Sequence, residues 1–194
     1  GQSVVFTDVP YSSTILEINL QGLKIRYPFL EVSSIGSSVL GKELKLVKIG
    51  SGAKKVFYNA SHHANEGITS VVLMKFIEDY ASALSQNTAI FGENARQLAQ
   101  SVTLYLAVMV NPDGVDLITG EIPRVSAPYN AARRMNNPPV PFPSGWKANI
   151  SGVDLNVNYP ARWEEARRIK FAMGYTAPGP RDYVGPYPLS EPET

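Results

Sequence analysis

The 194-residue chain contains no cysteine. Disulfide staples, thiolate metal ligands and a cysteine nucleophile are therefore excluded, and any metal site must be built from imidazole and carboxylate. Histidine is almost as scarce, with two residues, His62 and His63, side by side. Charge of one sign is missing as well: 18 basic residues face 17 acidic ones, so no basic stripe exists to neutralise nucleic-acid phosphates or anionic lipid. No apolar run reaches the ~20 residues that span a bilayer, and Gly1-Gln2-Ser3 opens no signal peptide. The remaining composition, 44% hydrophobic and 18% charged, suits one domain with a sizeable core.

Leu16, Leu20, Leu23 and Tyr27 recur at helical spacing, Thr14 and Glu17 read as a capping box, and Pro28 stops the run. Leu73, Ile77, Tyr80 and Leu84 predict a second helix against a sheet, with Lys75, Glu78, Asp79 and Ser82 on its polar face. Strands are expected over residues 30–35, 43–49, 55–59 and 102–110. The last is too apolar for a half-exposed strand and reads as buried and parallel. The expected fold is thus α/β, a mixed, largely parallel sheet with helices on both faces. Turn residues between Gly36 and Gly41 make the first two strands antiparallel.

Beyond Val110, which precedes 13 of the 15 prolines, the composition changes, and the run 136–143 can join neither a helix nor an inner strand. A long irregular loop on such a scaffold either lines a site or forms a surface excursion.

His62 and His63 follow a predicted strand and precede a predicted helix, with Glu66 three residues behind His63. A His at a strand end and a Glu in the first helical turn can converge on one point, and imidazole with carboxylate is a normal zinc ligand pair. The bland alternative is a hydrogen-bonded histidine beside a Glu that the helix dipole favours. In open α/β sheets ligands bind beyond the carboxyl ends of strands. Asn111-Pro112-Asp113-Gly114 follows another strand and sets Asn and Asp groups on the same rim. A third rim segment, Gly152-Val153-Asp154-Leu155-Asn156, brings a carboxylate suited to accept an imidazole N–H.

In this order and spacing, His63-Ala64-Asn65-Glu66, Asn111-Pro112-Asp113-Gly114 and Gly152-Val153-Asp154-Leu155-Asn156 resemble the zinc carboxypeptidase family related to carboxypeptidase A. The resemblance implies a mixed sheet between helices, with zinc held by His63, Glu66 and a later His. It also implies that Asp154 orients His63 and that Asn156 contacts a substrate carboxylate. Lys147 falls near the family's arginine that polarises the scissile carbonyl and stands as the candidate electrophile. His62 is read as structural or as a group behind the ligands. Arg133 and Arg134 are candidate contacts for an acidic substrate, or simply solvated loop charges.

Departures narrow the resemblance. Carboxypeptidases of this type carry an Arg after the Asn of Gly-Val-Asp-x-Asn, a natural bidentate clamp for a terminal carboxylate, where this chain has Val157. Together with Trp146-Lys147-Ala148-Asn149, the stretch from Tyr159 to Glu164 and the ending Glu191-Pro192-Glu193-Thr194, this looks like bacterial γ-D-glutamyl-L-diamino acid endopeptidases. These act on cell-wall stem peptides, and relatives often carry LysM modules. The family's third zinc ligand and catalytic Glu come after the Glu-Pro-Glu segment, and no His follows His63. The expectation is one C-terminally incomplete catalytic domain over residues 1–194, with an incomplete zinc site and an exposed sheet edge prone to self-association. A peptidoglycan substrate implies an extracellular or cell-wall location in a bacterium, or the cytoplasm of a sporulating cell. Alternatives are a non-catalytic cell-wall or protein-binding module on the same fold, and a metallocarboxypeptidase.

Overall fold

Ser12 starts the first helix. Its side chain accepts the Ile15 N–H at 3.2 Å, and α1 spans Ser13–Arg26 in the computed structural model, which describes residues 1–194. The cap therefore lies two residues before the expected Thr14, which sits inside the first turn and donates to Glu121 instead. Leu16, Leu20 and Leu23 are buried as their spacing predicts.

Strands β1 (Glu31–Ser37), β2 (Glu43–Ile49) and β3 (Lys54–Asn59) follow, then α2 (Gly67–Gln86). A two-residue hairpin comes next, β4 (Ala89–Ile90) and β5 (Glu93–Asn94), then α3 (Ala95–Ser101) and β6 (Val102–Ala107). The sheet order is β1-β2-β6-β3. The link between β2 and β3 passes so close to the α3–β6 junction that a Cβ on Gly52 would lie 1.9 Å from the Ser101 carbonyl carbon. Ser51 N–H donates to Ala99 O at 2.8 Å there, and the Thr103 hydroxyl to Gly52 O at 2.7 Å.

The mixed sheet agrees with expectation, and the β1–β2 pair is antiparallel as the turn residues predict. The sheet is not largely parallel: β2–β6 is antiparallel and only β3–β6 is parallel. The apolar character of β6 comes from burial on both of its faces, which an inner strand has whatever its neighbours' direction.

One sheet face carries Val47, Ile49, Leu104 and Leu106 into the main core with Leu20 and Leu23 of α1 and Met74 and Ile77 of α2. The expectation of helices on both faces holds on this face. On the other, Ala107, with Leu46 packed against it, meets Leu155 of a single 3-10 turn (Leu155–Val157), while Ile35 and Phe57 stay more than half exposed. The second helix also departs from its predicted polar face. Glu78 is buried because residues 3–5 lie across it: Ser3 Oγ and Val4 N–H donate to its carboxylate, both at 2.5 Å, with Lys75 Nζ at 3.0 Å.

Strand β3 is an outer strand, beside a groove of about 710 Å³ lined by Tyr58, Ile68, Val72, Phe76 and Phe91 among others. Short helices α4 (Pro112–Thr119), α5 (Ala127–Arg134) and α6 (Trp163–Ala172) complete the chain. Trp146, fully buried, anchors a second cluster with Leu117 and Ala132, and Phe142 of the proline-rich run packs on it edge-on at 5.8 Å. That run thus packs against α5 and Trp146. No helix is long and apolar enough to cross a membrane.

Candidate metal and substrate site

The segments leaving β3 and β6 are zipped together at their carboxyl ends. Ala60 N–H donates to Ala107 O (3.0 Å), Val110 N–H to Ala60 O (2.9 Å) and Asn111 N–H to Ser61 O (3.0 Å). Ser61, in the left-handed region at φ 54°, turns the chain. Its hydroxyl lies 2.7 Å from Ser70 Oγ, and its N–H donates to Thr69 Oγ1 at 2.9 Å. These bonds fix His62 and His63 against the start of α2. Glu66 occupies the N-cap position, but its side chain makes no capping bond, which leaves the carboxylate free for another task.

His63 Nδ1 lies 3.3 Å from Glu66 Oε1, and Nε2 lies 3.0 Å from Asp154 Oδ1. The second Asp154 oxygen accepts the Asp182 N–H at 3.0 Å, and Oδ1 also accepts Asn156 N–H at 3.2 Å. The hydrogen bond to Asp154 raises the His63 pKa above the ordinary imidazole value, against burial and the Lys147 cation, which lower it. Burial acts to raise the Asp154 carboxyl, and the His63 bond and charge with the Asp182 N–H hold it below its ordinary value.

This donor set fits zinc in part. Two atoms each ~2.0–2.1 Å from one tetrahedral ion are about 3.3 Å apart, which matches the His63–Glu66 separation of 3.3 Å. A carboxylate on the far imidazole nitrogen is the usual orienting partner of a metal-bound histidine. No group of three or more His, Cys, Asp or Glu side chains is arranged to hold a metal.

A cleft of about 720 Å³ opens over these residues, with Asn156, His62, Tyr159 and Glu193 on its walls. Lys147 is outside the cleft lining, though its charge acts on His63, and its carbonyl accepts the Ala64 N–H at 3.0 Å. Arg133 and Arg134 stand exposed at the end of α5 and outside the cleft lining.

The Asn111–Gly114 segment is structural. Asn111 is fully buried, donating to Ala148 O at 3.0 Å and to His62 O at 3.3 Å, and accepting Gly114 N–H at 3.1 Å. Asp113, also fully buried, accepts from Ser38 Oγ (2.8 Å) and Leu40 N–H (3.0 Å), so it clamps the turn after β1 rather than facing the rim. A Cβ at Gly114 would lie 2.7 Å from that of Ala64, which ties this turn to the histidine loop by direct contact.

Sequence reasoning missed three wall residues. Asn59 Oδ1 lies 2.8 Å from His62 Nδ1, and Tyr159 Oη lies 2.8 Å from His62 Nε2. Glu193 is buried and its carboxyl is pushed up to about 7, first by desolvation. No spacing rule links Tyr159 to His62, 97 residues earlier.

A zinc carboxypeptidase family model matches residues 16–194, and the chain belongs to that family. It is 43% identical to γ-D-glutamyl-L-diamino acid endopeptidase 1 of Lysinibacillus sphaericus over 94% of its own length and 45% of the relative's. It is 39% identical to the uncharacterised Bacillus subtilis protein YqgT, over 95% of this chain and 48% of that one. Carboxypeptidase A of Helicoverpa armigera superposes with a TM-score of 0.64 at 20% identity, over 94% of this chain and 40% of the other, a likeness of fold. The chain thus spans about half the length of the curated relatives it matches.

Proposed function

We propose that the chain forms part of a zinc metallopeptidase domain that hydrolyses γ-D-glutamyl-L-diamino acid bonds in bacterial cell-wall stem peptides. The observation that carries this is His63 held between Glu66 on one ring nitrogen and Asp154 on the other. The substrate class rests on the 43% identity to an endopeptidase of that name and on Val157, which offers no guanidinium to a terminal carboxylate.

His63 and Glu66 would hold the zinc, with a further donor from beyond this chain, and zinc when bound supplies Lewis-acid polarisation of the scissile carbonyl. Asp154 fixes the imidazole's orientation and its proton. Lys147 is the candidate cation for charge developing on the carbonyl oxygen, and Asn156 the candidate contact for a substrate carboxylate. Arg133 and Arg134 would serve only a ligand extending beyond the cleft. A cell-wall substrate calls for an extracellular or cell-wall location, or the cytoplasm of a sporulating cell, and suits a LysM module elsewhere in the protein. The apolar groove beside the outer strand β3 favours self-association of this chain alone.

A second reading on the same fold is a binding module without turnover, for which the open cleft of about 720 Å³ would serve as the groove. The test uses the full-length protein with zinc. A stem peptide should be cut between γ-D-Glu and the diamino acid, and faster release of a C-terminal residue from an ordinary peptide overturns the assignment. Retained binding with no turnover supports the second reading.

A further inference from the structure

Asn59 ends β3, and three residues later His62 turns back on it, with Nδ1 2.8 Å from Asn59 Oδ1. An amide oxygen only accepts, so Nδ1 carries the imidazole proton and Nε2 is left as an acceptor. The group 2.8 Å from Nε2 is the Tyr159 hydroxyl, which therefore donates its one proton to the ring. What Tyr159 still has to offer is an oxygen with free lone pairs. Both side chains line the cleft beside His63 and Glu66 and are only partly buried, so this oxygen faces the space a ligand would fill.

Apolar side chains such as Leu44 and Phe57 make up much of the remaining wall. Among its polar groups, Asn156 adds an amide and Glu193 a buried carboxyl that accepts from Asn149 Nδ2 at 3.2 Å. The one cation in the lining, Lys45, is paired with Glu43 at 2.7 Å. The Tyr159 oxygen, in a lining whose own lysine is paired, suits a ligand bearing a positively charged donor, in chemical terms a primary ammonium group, while the Lys147 charge acts on His63 from outside that lining.

We infer that Tyr159 determines specificity by accepting a hydrogen bond from the second amino group of the diamino acid, with His62 and Asn59 as positioning residues that keep its hydroxyl turned. This rests on the proposed function, since the second amine is what a diamino acid has and other residues lack.

The test is equilibrium binding of two peptides to this chain by calorimetry: γ-D-glutamyl-L-lysine, and γ-D-glutamyl-L-norleucine, which has the same chain without the ammonium. Wild type should prefer the lysine peptide by on the order of 10-fold, the scale of one charge-assisted hydrogen bond. Tyr159→Phe should erase the preference while leaving the norleucine affinity unchanged, which a merely structural role for the hydroxyl would not do. His62→Ala should reduce the preference in the same direction, with thermal melts of both variants reporting the fold. Equal binding of both peptides by wild type, or a preference that survives Tyr159→Phe, overturns this inference and leaves the proposed function standing. If neither peptide binds, the inference falls, while cleavage of the stem peptide by the full-length protein still decides the proposed function.

Discussion

Asp154 holds His63 Nε2 with one carboxylate oxygen, at 3.0 Å, and the backbone N–H of Asp182 with the other, also at 3.0 Å. The ring is thereby fixed in tautomer and direction by a group that is itself immobilised. Asp154→Asn keeps the shape but offers a neutral, weaker acceptor. Loss of such a partner typically lowers metal affinity 10–100-fold, and a zinc competition titration against a chromophoric chelator should show a fall of about that size. Unchanged affinity would mean that His63 is oriented by something else.

Wild type is itself expected to bind zinc weakly. A catalytic zinc takes three protein ligands, and this chain converges two, His63 and Glu66. Calorimetric titration should give a dissociation constant in the micromolar range or above, abolished by His63→Ala. Nanomolar, stoichiometric binding would reveal a third donor in this chain.

Glu193 predicts a pH dependence of stability. Its folded pKa is raised from 4.5 to about 7, by burial first and, among other causes, by the Asp113 charge. An acid with a raised folded pKa binds more protons folded than unfolded, so its penalty is absent at low pH. The penalty grows as pH rises above the unfolded value and is complete above about 7. The full cost is on the order of 3 kcal/mol. Glu193→Gln should flatten this slope, making the variant more stable than wild type at pH 8 and no more stable at pH 4. Urea unfolding across that range reads it directly, and parallel pH profiles would refute the assignment.

The groove beside β3 predicts association. Ile68, Val72 and Phe91 are 68%, 63% and 84% exposed beside a strand with an unpaired edge, the arrangement that recruits another chain. Light scattering should show concentration-dependent growth in mass, and an apolar dye should bind. The double variant Ile68→Glu with Val72→Glu should suppress both. A wild type that stays monomeric at high concentration without binding dye would contradict this.

How much was legible depended on how local each signal is. β2 was readable to the residue because its run is bounded by Gly41 and Gly50, both at positive φ. The start of α2 was not, since Ile68 and Val72 are apolar yet exposed and break the periodicity. The polar face of that helix was misread at Glu78 because its partners, Ser3 and Val4, lie 75 and 74 residues away. The His63–Glu66–Asp154 grouping was readable through motif resemblance, and the structure brings Glu66 and Asp154 to 3.3 and 3.0 Å from the two ring nitrogens of His63. The Asn59–His62–Tyr159 chain was not readable, because no spacing rule relates a residue at a strand end to a tyrosine 97 positions beyond His62. Arg133 and Arg134 illustrate the converse: surface charge carries no address, and these two stand exposed at the end of α5, outside the cleft lining.

The clasp through Asp154 also sets an order of assembly during synthesis. His63 leaves a ribosome 91 residues before Asp154, and Asp154 leaves 28 residues before Asp182. At ~5–20 residues per second the imidazole waits roughly 5–20 s for its orienting carboxylate, and longer for the backbone that steadies that carboxylate. For that interval a nascent chain carries the histidine pair and Glu66 with no carboxylate to fix the ring, so the imidazole takes its final orientation only near the end of translation of this stretch.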